Sequence, residues 1–274
     1  MKSCLNLITL GPELGLDVQI KAAGEAGFQG VELWFDKIEE YLKKRQFSDL
    51  IELIESYDLA VASIIAVHSP LWSSQDEFDK QMKINEKRLD LAEKLDAECV
   101  VAILSDLDGH SVREAEEATY KRLREVVKLA EERNLKLGLE FIAFRRFVNN
   151  LESALKIVET IDNVHLGITF DTFHFFKSKG NPKEIGRIPK DKLFLVHIND
   201  VPEKPLDELQ DSDRVYMGRG VIPLKRIIGE IRKIGYQGFL SVELFNREYW
   251  KQAPLKVAKT CLETLNQYMA SEVS

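Results

Sequence analysis

Long apolar runs are missing from this chain, and so is any excess of positive charge. No window approaches the roughly 18 consecutive apolar residues of a membrane span. The apolar stretch at residues 4–10 stops at Gly11-Pro12-Glu13, too short for a signal-peptide core. The 274 residues carry 38 Lys and Arg against 45 Asp and Glu, a formal charge of −7. That balance speaks against a protein built to grip a phosphate backbone. Cysteine is scarce: Cys4, Cys99 and Cys261 are odd in number, far apart and form no CxxC pair. A disulfide framework and a thiolate zinc site are thereby disfavoured, and reduced, buried thiols are expected. Histidine is also scarce, with five in the chain. No Pro-, Gly- or Ser-rich linker divides the chain, so residues 1–274 read as one domain. The expectation is a soluble cytoplasmic protein with no membrane or nucleic-acid partner, and nothing excludes an oligomer.

What is present is an alternation. Short runs rich in Val, Ile, Leu and Phe occupy residues 4–10, 30–35, 61–67, 99–104, 136–143, 164–170, 193–198 and 239–244. Between them lie charged segments with apolar residues at helical spacing, as in 120–132, where Leu123, Val126, Val127 and Ala130 share a face. Continuous apolar strands flanked by amphipathic helices imply a parallel sheet covered by helices. Eight such units without a linker predict an α/β fold, a closed (β/α)8 TIM barrel. An internal echo supports the repeat: Gly27-Phe28-Gln29-Gly30-Val31-Glu32-Leu33 resembles Gly235-Tyr236-Gln237-Gly238 followed by Val242-Glu243-Leu244. Residues 177–190, with two prolines and two glycines, predict a short or broken helix. Residues 201–223 are too long and polar for an ordinary connection and predict a functional loop.

In such a barrel the chemistry sits at the C-terminal ends of the strands. Glu140, Asp171, His197 and Glu243 close four successive predicted strands, each among apolar neighbours. An unpaired ionised carboxylate in that setting costs several kcal/mol, and three converging on one mouth also repel each other. A divalent cation removes both problems. A lone glutamate at a strand end is ordinarily a cap or an ion-pair partner, and a lone histidine a satisfied core group. Four on consecutive strands favour a metal site. Three carboxylates and an imidazole suit Mn, Co, Mg or Zn. Glu32 and His68, ending strands two and three, are candidates to line a substrate pocket with Trp34 and Trp72. Asp200 is a candidate to orient His197 or to bind substrate. His110 and His165 read as structural.

At these residues the chain resembles the xylose-isomerase-like barrels, which include sugar isomerases, epimerases, inosose dehydratases and endonuclease IV. The resemblance covers essentially the whole chain. It is carried by Leu139-Glu140-Phe141, Asp171-Thr172-Phe173-His174-Phe175, His197-Ile198-Asn199-Asp200, the run Asp213–Gly220, Ser241-Val242-Glu243-Leu244-Phe245 and Arg247-Glu248-Tyr249. Within that superfamily the likeness is to the inosose isomerase group, which acts on 2-keto-myo-inositol. The resemblance implies that Glu140, Asp171, His197 and Glu243 ligate one metal, that Glu140 and Glu243 move protons, and that His174 and Arg214 bind substrate oxygens.

The expected activity is therefore isomerisation of a small sugar or cyclitol ketone through an enediolate, in inositol catabolism. An epimerase or an inosose-type dehydratase could use the same parts. An endonuclease IV-like nuclease would call for more histidines and a basic groove. A barrel that only binds a polyol would survive loss of either glutamate's proton transfer. No phosphate-binding glycine motif precedes a helix, which favours a non-phosphorylated substrate.

Overall fold

The computed structural model describes residues 1–270. Eight parallel strands pair in sequence order and close into a barrel, with β8 returning to β1. They are β1 (Lys2–Asn6), β2 (Gly30–Trp34), β3 (Ala60–Ser69), β4 (Val100–Leu104), β5 (Leu137–Glu140), β6 (Leu166–Asp171), β7 (Leu193–Ile198) and β8 (Phe239–Val242). Every residue of β5, β6 and β8 is buried, as strands covered on both faces require. Residues 7–10 form a 3-10 turn and do not extend β1 as the apolar run suggested, because the Asn6 side chain accepts from the Ile8 amide at 3.1 Å. The chain also leaves the sheet after Glu140. There the Ile142 amide donates to the Val148 carbonyl at 2.9 Å and closes a loop.

The covering helices are α1 (Leu16–Ala26), α2 (Phe35–Leu42), α3 (Phe47–Ser56), α4 (Gln75–Lys94), α5 (Val112–Glu131), α6 (Leu151–Ile161), α7 (Thr172–Lys177), α8 (Leu224–Lys233), α9 (Arg247–Trp250) and α10 (Pro254–Met269). Serine capping boxes start α4 and α5, Ser74 with Glu77 and Ser111 with Glu114. Leu123, Val126, Val127 and Ala130 of α5 are buried, the face read from the sequence. The glycines of the internal echo do matching work. Gly27 and Gly235, at φ of 94° and 81°, end α1 and α8 in the left-handed conformation that leads into β2 and β8. Between β6 and β7 lie only the 6-residue α7 and a 3-10 turn, Pro182–Arg187, which is the broken helix expected there.

One apolar core joins strands to helices. A second cluster fills the barrel interior with Cys4, Ala62, Cys99, Val101, Leu195 and Phe239. All three cysteines are buried and unpaired, and burial pushes the Cys99 thiol up to about 12, so it is inert at neutral pH. Among the described residues, no helix is long and apolar enough to cross a membrane.

Candidate metal centre

Pairing places the four strand-end residues side by side. Asp171 of β6 is in register with His197 of β7, and His197 with Ser241 of β8. Glu140 is the last residue of β5, and Glu243 lies one residue past β8. One donor atom from each of Glu140, Asp171, His197 and Glu243 lies within 4.8 Å of the others, and all four residues are buried. The His197 Nδ1 faces Glu140 at 3.0 Å, Glu243 at 3.5 Å and Asp171 at 3.7 Å. Three carboxylates and one imidazole nitrogen, buried and converging, fit a divalent ion in donor type and in number.

Local structure explains each orientation. Asp171 caps α7: one carboxylate oxygen accepts from the Phe173 and His174 amides at 2.6 and 3.0 Å, leaving the other for the centre. Burial raises its carboxyl, but Arg214, His174 and His197 outweigh that and hold it well below the usual carboxylate range. Glu243 is pushed up to about 8 by burial and by Glu140 and Asp171, against the pull of His197 and Arg214. His197 is held well above its ordinary value: burial opposes the charge, while Glu243, Glu32 and Glu140 favour it.

Glu32 does not line the pocket as expected. It is fully buried beneath His197, accepting from Nε2 at 3.0 Å, from Asn6 Nδ2 at 3.0 Å and from Ser241 Oγ at 2.8 Å. Its carboxylate thus turns Nδ1 toward the three acids, the carboxylate–imidazole arrangement that orients metal-bound histidines. Asn6 uses the same amide group to donate to Glu243 at 2.8 Å, while its oxygen accepts from Trp34 Nε1 at 2.9 Å. Sequence reasoning passed over Asn6 and Ser241. Asn6 ends β1, the position already singled out on other strands, and Ser241 shares the face of Glu243 two residues on.

Asp200 neither orients His197 nor faces the mouth. One oxygen accepts from the Val201 and Ile222 amides, both at 2.9 Å, and the other from Gly218 and Gly220, at 3.0 and 2.9 Å. Both oxygens are consumed in clasping the loop after β7. The Gly218-Arg219-Gly220 segment folds over this carboxylate, and a Cβ at Gly220 would collide with the Val201 carbonyl.

The clasped loop delivers Arg214, 1% exposed, into the centre. Its Nη1 donates to Asp171 at 2.8 Å and to Glu243 at 2.6 Å, and its Nη2 donates to Asp211 at 2.8 Å and lies 3.3 Å from His174 Nε2. The guanidinium sits between the rings of Phe173 and Phe245. Its Nε–H has no acceptor among the described residues. His174 is buried beside it, edge-on to Phe144. Burial lowers the pKa of His174, with Asp171 opposing, so the ring is neutral.

Trp72 and His68 lie farther out. Trp72 donates to the Asp106 carbonyl at 2.7 Å and stacks on His110 at 3.8 Å, a packing contact for His110. His68 is exposed near the end of β3. His165 is structural, its Nδ1 2.8 Å from the Leu135 carbonyl at the opposite end of the barrel.

Residues 20–268 match the family described as xylose isomerase-like TIM barrel. The chain is 28% identical over 269 residues to the inosose isomerase of Bacillus velezensis, covering 96% of this chain and 95% of that one. It is 29% identical to the 3-dehydroshikimate dehydratase of Pseudomonas putida over 88% of its own length, which spans 38% of that larger protein. Among solved structures, the IolI protein with a bound zinc atom superposes with a TM-score of 0.90 at 26% identity, each chain covered completely. With the match extending over most of its length, the chain belongs to the xylose isomerase-like TIM barrel family.

Proposed function

We propose that this protein is a metal-dependent isomerase of polyhydroxylated ketones of the inosose kind, with Glu140 and Glu243 as its proton-moving pair. The observation that carries the reading is the buried convergence of Glu140, Asp171, His197 and Glu243 within 4.8 Å. These four would hold one divalent ion, which supplies Lewis acidity to polarise the ketone and acidify the adjoining C–H.

The side chains divide the remaining work by exposure and charge. Asp171 and His197 are 0% exposed, while Glu140 and Glu243, at 7% and 4%, are the two that reach the mouth. Asp171 is committed as a carboxylate by its cap on α7 and by Arg214. Glu243, one of the two carboxylates that reach the mouth, accepts and releases the substrate proton together with Glu140. One glutamate removes the α-proton and the other returns a proton to the neighbouring carbon. Arg214 and His174, which lie 3.3 Å apart beside Glu243, would hold the substrate oxygens.

The likeness to the Pseudomonas putida dehydratase supports a second reading, in which the same base removes the proton and a β-hydroxyl departs. Proton NMR of the metal-loaded protein with 2-keto-myo-inositol in D2O separates the two. Isomerisation gives deuterium beside the carbonyl and a second ketone. A dehydrated product assigns the lyase, and absence of exchange overturns both.

A further inference from the structure

Asp171 and Glu243 each turn one carboxylate oxygen toward the fold and the other toward the centre. Asp171 Oδ1 caps α7, accepting from the Phe173 and His174 amides, and Glu243 Oε1 accepts from Asn6 Nδ2 at 2.8 Å. The inward oxygens, Asp171 Oδ2 and Glu243 Oε2, lie 3.7 and 3.5 Å from His197 Nδ1. Both of them accept from one nitrogen, Arg214 Nη1, at 2.8 and 2.6 Å. Asn199 Nδ2 adds a longer contact to Asp171 Oδ2 at 3.3 Å. A guanidinium and a divalent ion held here would therefore draw on the charge of the same two oxygens.

Arg214 is fixed in that position from several sides. Its amide donates to the Asp211 carbonyl at 3.2 Å, and its own carbonyl accepts from Asn246 Nδ2 at 3.0 Å. The guanidinium carbon stands 4.7 and 5.1 Å from the ring centres of Phe173 and Phe245. Its Nη2 donates to Asp211 Oδ1 at 2.8 Å. Asp211 belongs to the 3-10 turn Asp211–Asp213, and its side chain is 43% exposed against 1% for Arg214. One guanidinium thus joins a carboxylate at the surface to two at the centre.

A fixed positive charge bonded to two of the four proposed ligands repels a second cation at those oxygens and shields their charge from it. Its own burial is offset by the three carboxylates it bonds. Asp211 takes part of that charge on the solvent side and so moderates what bears on the centre. We propose that Arg214 is a built-in counter-cation that sets how tightly the metal is held, with Asp211 as the positioning residue that aims and moderates it. The proposal rests on the metal reading of Glu140, Asp171, His197 and Glu243, and it gives Arg214 a task distinct from contact with substrate. The ion is then held loosely enough to exchange.

Competition for Mn(II) against a chromophoric chelator, in mildly alkaline buffer where protons interfere least, tests this. Arg214→Gln should bind Mn(II) about tenfold tighter or more, since a repelling charge is gone and two oxygens are released. Asp211→Asn should bind it about threefold more weakly, and Asp211→Glu should restore the original affinity. Because Asp211 acts through Arg214, the double variant should fall within about twofold of Arg214→Gln alone. Unchanged or weakened binding in Arg214→Gln overturns the proposal, as does an Asp211→Asn loss that persists in full in the double variant. Should Arg214→Gln fail to fold, by circular dichroism, Arg214→Lys takes its place. A lone ammonium cannot span both inward oxygens and Asp211, so affinity should rise about threefold, and no rise overturns the proposal. Failure of the unaltered protein to bind Mn(II) sinks the metal reading together with this one; binding that Arg214→Gln leaves unchanged sinks the counter-cation alone.

Discussion

Glu32 shows how much of the candidate metal centre is built behind its proposed ligands. It makes three hydrogen bonds, to His197, Asn6 and Ser241, and none of its contacts faces solvent. Glu32→Gln replaces one acceptor oxygen by a donor that faces Asn6 or Ser241. Metal affinity, read by competition with a chromophoric chelator, should drop about tenfold to a hundredfold, with the circular dichroism of the fold retained; unchanged affinity would show that His197 needs no such support. Glu243 gives a pH dependence. Its folded pKa is raised to about 8, so below that pH it holds a proton that a metal must displace. His197, also held well above its ordinary value, brings a second proton, so affinity should fall by at least about tenfold per unit as pH drops from 8 toward 6. Calorimetry in buffers of different ionisation heat should show a proton released on loading; a flat profile over that window contradicts the assignment. Glu140, Asp171, His197 and Glu243 were legible from the sequence because each is a polar group ending an apolar run. The true place of Glu32 was not, since it depends on β1 pairing with both β2 and β8.

The loop after β7 was visible in the sequence as an over-long polar connection, but its organising residue was misread. Asp200 looks like a site residue because it follows His197-Ile198-Asn199; only the fold returns Gly218, Gly220 and Ile222 to its carboxylate. Asp200→Ala leaves those amides without their acceptor. A loss of about 2–4 kcal/mol is expected in urea unfolding, together with a raised KM, because the same loop carries Arg214. Gly220→Ala should act through backbone collision with Val201 in the same direction, by about 1–3 kcal/mol. Stability equal to that of the unaltered protein in both variants would remove the clasp from the account. The short α7 was easier to foresee: Pro182 and Gly180 break the helical pattern, and Asp171 supplies the N-cap from the strand itself.

For the barrel as a body, the alternation of apolar runs and amphipathic segments carried the topology, while strand ends erred by a few residues where side chains cap the chain early, as Asn6 does. The centre gathers residues from β1, β2, β5, β6, β7 and the end of β8, so a bound ion ties together most of the circumference. Metal at a hundred times its Kd should add about 2.7 kcal/mol, a rise in Tm of about 5–10 °C in a chain of this size. Chelator should reverse it, and a Tm indifferent to both would speak against the centre. The hydrogen bond between Asn6 and Glu243 spans 237 positions of sequence. During synthesis, a ribosome that has released everything through β7 has delivered Glu140, Asp171 and His197, but neither Ser241 nor Glu243. The full set of four donors is thereby assembled only when the last strand is out and the ring has shut.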